Sequence, residues 1–213
     1  MRVALTFVLA LAVASTALGA RGDPVKQIRP ADQARARAML LRTSDFNPAF
    51  TARPSSSGGS GDFYCAALDE SDLTLTGEAR SQSFTATTEY VTSTSNVYAS
   101  RSDSNASWKS GTSAAGVQCL RVGLRGQFRG TSVRLVSFKK LSFPKRGQRS
   151  VAFRAIATQQ GVRVYLDTVA MQVSRAQAAV IYVSALSPPP QAELRRLTAL
   201  VAKRADKAMR GAS

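Results

Sequence analysis

Residues 162–187 read VRVYLDTVAMQVSRAQAAVIYVSALS, and the reading of this stretch decides the fold. β-branched and aromatic side chains recur on both sides of Ser174 and Arg175, the pattern of two long strands folded back on each other. Over 176–185, Ala178, Val180 and Tyr182 fall on one face of the second strand, and Ala179, Ile181 and Val183 on the other. A strand apolar on both faces belongs at the centre of a sheet covered on both sides. The first strand carries Asp167, the only acidic residue between Asp103 and Glu193. Such an isolated carboxylate is either a structural ion pair, with Arg154 on the neighbouring strand as partner, or a ligand-binding group.

On the C-terminal side, Pro188, Pro189 and Pro190 stop the hairpin and open a helix over 191–209. At about 100° per residue, Leu194, Leu197, Val201, Ala205 and Ala208 share one face. Arg196, Lys203, Lys207 and Arg210 share the opposite one, so the helix should lie on the sheet and show a basic ridge to solvent.

On the N-terminal side, 132–143 and 150–158 are β-branched and aromatic runs separated by a turn at 144–148. Before them, 104–122 has helical character and carries Cys119, although Gly111 and Gly116 weaken it. Residues 71–76 alternate as a strand that Gly77 breaks, and 81–100 supply one or two strands marked by Phe84, Tyr90, Val91, Val97 and Tyr98. The serine-glycine run 55–61 is a loop without the Lys-Ser/Thr of a phosphate cradle. A short helix starts at Pro30 and ends before Asn47-Pro48. The expectation is an α+β fold: one antiparallel sheet of about five to six strands packed by N-terminal, middle and C-terminal helices. It forms a single domain over 29–210, with 21–28 disordered.

Residues 1–20 read as a secretory signal peptide, with Arg2, a short apolar core and the small-x-small pattern Ala17-Leu18-Gly19, cleaved near Gly19 or Ala20. Export makes a disulfide the expected state of the two cysteines, Cys65 and Cys119, worth roughly 4 kcal/mol by loop closure. Two cysteines without histidine do not make a metal site, and no cofactor is expected.

The formal net charge is +16, and it is unevenly placed. From Arg21 to Cys119 ten basic residues face ten acidic ones; beyond it eighteen basic residues face only Asp167, Glu193 and Asp206. This asymmetry points to an anionic partner, such as membrane headgroups, an envelope polymer, extracellular nucleic acid or an acidic protein, or else to a solubilising surface. The partners expected are an unknown small ligand or an anionic envelope polymer, with an anionic membrane surface beside them. No sequence-reading nucleic-acid motif is present.

Histidine is absent, which removes Ser-His, Cys-His and His-metal chemistry. Two Ser-x-x-Lys matches, Ser137 with Lys140 and Ser142 with Lys145, lie in or beside a strand, where residues three apart point to opposite faces. Asp69, Glu70 and Asp72 cluster in sequence but read as solvated rather than as a glycosidase pair. No catalytic residue is assigned, and the chain is not expected to be an enzyme.

The order of features resembles a family. A helix ends in LLRTSDFNPAF, TGEARSQSF follows the first cysteine, NVYASRSDSNA leads to a helix with the second cysteine, and VYLDTVAM precedes a final helix after proline. This order is similar to that of the sensor domain of actinobacterial PknH-type serine/threonine kinases and its exported relatives. The resemblance implies a compact α+β fold with a cleft for an unidentified ligand. Such domains commonly hold two disulfides, whereas this chain can form one, and no kinase domain or transmembrane helix accompanies it, so signalling is not carried over. The function expected is an exported, non-enzymatic ligand-binding or sensor-like domain of the cell envelope. The alternative is a basic protein adhering to anionic membrane or cell-wall polymer through its C-terminal helix.

Overall fold

A computed structural model describes residues 22–55 and 64–211. The signal-peptide segment, Arg21 and most of the serine-glycine run lie outside them.

The hairpin that anchors the sequence reading is formed by β8 (Val162–Val173) and β9 (Ala176–Ala185). The two pair antiparallel from Val173↔Ala176 to Val164↔Ala185, around a turn in which Ser174 takes a left-handed φ of 55°. The nine-stranded sheet grows outward on both sides. β7 (Arg149–Gln159) and β6 (Val133–Leu141) follow β8, and β5 (Glu89–Tyr98), β3 (Thr74–Arg80) and β1 (Val25–Lys26) follow β9. β4 (Ser83–Thr85) joins β5 to β2 (Thr51–Arg53). Every pairing is antiparallel except that of β1 with β3.

The sheet thus has more strands than the five to six expected, because short β1, β2 and β4 carry little periodicity for a sequence to show. Residues 22–28, expected to be disordered, are instead tied down: Val25, Gln27 and Arg29 donate backbone N–H bonds to Leu73, Leu75 and Thr76. β3 also runs through Gly77 rather than ending at it. A Cβ there would collide with the Asp32 carbonyl oxygen, so glycine is what lets α1 (Pro30–Met39) lie against the strand.

α1 and the last helix, α4 (Gln191–Met209), cover one face of the sheet. Leu194, Leu197 and Val201 pack there against Val169, Met171, Ala178, Val180 and Tyr182, Ala205 packs in a cluster with Val97, Val173 and Ala176, and all are buried. Each such leucine or valine contributes about 1.5–3 kcal/mol of transfer free energy. α2 (Arg101–Thr112) and α3 (Ala114–Gln127) occupy the other face, where Leu124 and Phe128 meet Ala155, Ala157, Leu166, Ile181 and Val183. The single helix expected over 104–122 is therefore two. Ser113 separates them, its hydroxyl accepting from the Gly116 N–H at 2.9 Å as the N-cap of α3. Cys65 and Cys119 form the disulfide, joining a one-turn helix at Ala66–Leu68 to α3.

Candidate functional site

A cleft of about 570 Å³ opens on the α2 side of the sheet, where β6 ends and β7 begins. Trp108 and Thr112 of α2 form one wall. Ser150 and Val151 of β7 form the floor, and Lys140, Phe143, Lys145, Gln148 and Arg149 complete the lining. Three of these nine side chains are cations and none is a carboxylate. Two aromatic rings supply apolar surface beside them, and an amide and two hydroxyls supply neutral hydrogen-bonding groups. A site so composed favours a small anion with an apolar or hydroxylated body.

Each wall is held independently of any ligand. α2 starts at an N-cap serine, Ser100, which accepts from the Asp103 N–H at 3.0 Å. Asp103 in turn accepts from the Thr74 N–H at 3.3 Å. On the sheet side, the Gln172 amide donates to Ser104 Oγ at 3.0 Å and Asn105 Oδ1 at 2.9 Å, and Gln177 donates to the Ser104 carbonyl at 2.8 Å. Tyr98 and Ser107 hydroxyls meet at 2.8 Å. These bonds seat α2 so that Trp108, 9% exposed, faces the cleft.

The opposite wall, the turn 142–148, is clamped to the end of the central hairpin. Gln148 donates its N–H to the Gln172 carbonyl, and its side-chain oxygen accepts from the Ser174 N–H, both at 2.9 Å. The Arg146 N–H donates to Ser150 Oγ at 2.9 Å. Gly147, at φ 60°, lets the turn approach the Gln172 carbonyl, where a Cβ would come within 2.7 Å. Polar groups ordered in this way bind without a further ordering cost.

The residues singled out from sequence distribute differently. Asp167 is completely buried, and both its oxygens are taken: Arg154 Nε and Nη2 donate to Oδ1 and Oδ2 at 2.6 Å each. Gln191, at the start of α4, adds a bond to Oδ2 at 3.2 Å. Arg154 and Asp167 are direct partners in the β7–β8 register. The carboxylate has no free oxygen for a ligand, and it does not line the cleft. The Arg154–Asp167 pair is structural.

Two more pairs of the same kind lie under α1 and α4. Asp32 of α1 is gripped by Arg175 from the β8–β9 turn at 2.7 and 3.0 Å and by Arg35 at 2.6 Å. Burial opposes its ionisation, but the hydrogen bonds from Arg175, Thr76 and Arg35 outweigh it and hold the carboxyl well below the usual range. Asp45, in the one-turn helix Thr43–Asp45, accepts from Arg204 of α4 at 2.6 and 2.7 Å. Burial again works against the charge, and Arg204 with the Arg42 N–H lowers the carboxyl's pKa despite it.

Half of the expected basic ridge on α4 is spent internally. Arg196 pairs with Glu193 at 2.7 Å and also donates to the Asp45 carbonyl, and Arg210 pairs with Asp206 at 2.9 Å. Lys203 and Lys207 remain as exposed, unpaired cations. The carboxylates 69–72 are not uniformly solvated as expected. Glu70 is half-buried, its Oε2 accepts from the Tyr98 hydroxyl at 3.0 Å, and burial pushes its pKa up against the bonds from Ser107 and Tyr98. Ser137 and Lys140 pair with Ile156 and Phe153, on opposite faces of β6, and Ser142 with Lys145 lies in the turn, not on a helix.

Sequence reasoning named Lys140 and Lys145 only for that serine motif, and it missed Trp108, Gln148 and Arg149. The available signal was the run of cations around 139–149, together with the position of the only tryptophan. Among the described residues no group of three or more His, Cys, Asp or Glu side chains gathers to hold a metal. The sequence matches no model of a known protein family and no curated protein.

Proposed function

We propose that the protein is an exported, non-enzymatic, sensor-like binding domain that receives a small anionic ligand in the cleft between α2 and the β6–β7 turn. The observation that carries this reading is the cleft lining, in which Lys140, Lys145 and Arg149 surround Trp108 and Phe143 with no carboxylate among them. The secretory character of 1–20 and the disulfide agree with an extracytoplasmic setting. The resemblance to PknH-type sensor domains supports a receiving cleft over a reaction centre. The only carboxylate of the C-terminal sheet is committed to Arg154, and the cleft lining holds no carboxylate.

Trp108 is the only tryptophan of the chain, so its fluorescence reports occupancy of the cleft directly. Titration with inositol hexakisphosphate should give a saturable change, and neutral inositol should give none. Replacing both Lys145 and Arg149 by glutamine should weaken the response at least about tenfold, equivalent to about 1.4 kcal/mol. A flat titration, or a response unchanged in the double variant, overturns the proposal.

A further inference from the structure

We infer that the cleft is one end of a longer binding strip along β6, and that the strip fits a linear phosphodiester polymer without bases, of the polyol phosphate type. Where the cleft is concerned, the inference rests on the anion-binding reading above. Its own support is the disposition of unpaired charge.

Between Arg121 and Arg149 the chain contains nine basic residues and no acidic one. They are Arg121 and Arg125 on α3, Arg129 just after it, Arg134, Lys139 and Lys140 on β6, Lys145 and Arg146 in the turn beyond, and Arg149 at the start of β7. Among the described residues none of the nine forms an ion pair, whereas Arg154, Arg175, Arg196, Arg204 and Arg210 all do. Nine uncompensated charges therefore fall in one run of consecutive elements, while Lys203 and Lys207 stand apart on α4.

β6 forms one edge of the sheet and pairs only with β7. Its nine residues span about 30 Å at roughly 3.3 Å each. Chain continuity sets Arg125, Arg129 and Arg134 at one end of that span and Lys139, Lys140, Lys145 and Arg149 at the other. Most of these cations are exposed. Charged residues on an edge strand also deter pairing with other sheets, which accounts for Arg134, Lys139 and Lys140. It does not account for the cations on α3 or in the turn, which are off the strand.

A narrow strip that follows a sheet edge fits a flexible linear polyanion better than a planar membrane. Six of the nine cations are arginines, whose forked donors match the non-bridging oxygens of a phosphodiester. Single-stranded nucleic acid draws much of its affinity from bases stacked on aromatic rings. Val122 and Val136 are the large apolar side chains exposed on α3 and β6, while Phe128 and Phe138 pack into the core. Along α3 and β6 the strip offers bases no exposed ring to stack on; the rings of Trp108, 9% exposed, and Phe143 lie only at its cleft end.

The test measures fluorescence anisotropy of a labelled short poly(glycerol phosphate) oligomer across a salt series, with Trp108 fluorescence followed in parallel. The variant Arg125→Gln, Arg129→Gln, Arg134→Gln, Lys139→Gln should lower the log–log salt slope by about 3, at roughly 0.7 per lost phosphate contact. Its Trp108 response to inositol hexakisphosphate should be unchanged, which also shows that it folds. Restoring charge with lysine at the same four positions should restore the slope. A normal Trp108 response with an unaltered polymer slope overturns the strip and leaves the cleft reading intact. Loss of the Trp108 response in the wild-type chain, with a strip-dependent slope, overturns the cleft and leaves the strip. An oligothymidylate of equal charge that binds about tenfold tighter, or phosphatidylglycerol vesicles that displace the oligomer, overturns the assignment of a base-free linear polymer.

Discussion

Two regions of this molecule treat arginine in opposite ways. Under α1 and α4, Arg175, Arg204 and Arg154 are buried to a large degree, each locked onto a single aspartate with two parallel bonds. Along α3, β6 and the following turn, seven of nine arginines and lysines are exposed, and among the described residues none of the nine has an acidic partner. The first group costs desolvation and returns specificity of packing, because a guanidinium fork fits a carboxylate only when the helix sits in the right place. The second group forms no ion pair among the described residues and leaves charge available to something outside the fold. Net charge alone, +16, does not separate the two; partner and burial do.

The sharpest way to break this distinction is to remove one aspartate from the first group. Asp167→Ala strands the Arg154 guanidinium beside the start of α4 and should destabilise by about 3–5 kcal/mol, read by urea denaturation at neutral pH. A change below about 1 kcal/mol would mean that Arg154 escapes to water and that the pair is no more than a surface contact.

A weaker effect should follow from acid. The carboxyls of Asp32 and Asp45 are held below the pKa near 3.9 of an unfolded aspartate. Their pairs therefore stabilise the fold fully above that value, and the contribution is lost as pH falls through the folded-state values. The melting temperature should fall by about 5 °C or more between mildly acidic pH and pH near 2, and Asp45→Asn should flatten the profile. A melting temperature that is level over this range would contradict the ionised state of both pairs.

The smallest effect is expected in the second group. Arg134→Ala and Lys139→Ala should each change stability by no more than about 0.5 kcal/mol, since neither side chain has a partner to lose. A loss comparable to that of Asp167→Ala would erase the contrast between the two regions.

Why one pair was legible and the others were not follows from distance along the chain. Arg154 and Asp167 lie 13 apart on adjacent strands, so alternation and a short turn bring them together in the ladder. Asp45 and Arg204 are 159 apart, and Asp32 and Arg175 are 143 apart. Their meeting depends on how α4 packs against the one-turn helix at Thr43–Asp45 and how α1 docks beside the β8–β9 turn, which no local period encodes. The cleft is a similar case. Trp108 belongs to a helix whose apolar residues read as core, and only the docking of α2 through Gln172 and Gln177 turns that ring toward Lys145 and Arg149.

The sequence by itself determined the α+β class, the central hairpin with β9 apolar on both faces, the amphipathic last helix, the disulfide and the asymmetry of charge. These are properties of residue period, turn chemistry and composition, and they act over a few residues at a time. Tertiary structure alone decided that Gly77 admits α1 to the sheet, which arginines are consumed by buried aspartates, and where a cationic cleft opens. Each of those rests on the meeting of surfaces far apart in the chain, where close packing and the cost of an unpaired buried charge select one arrangement.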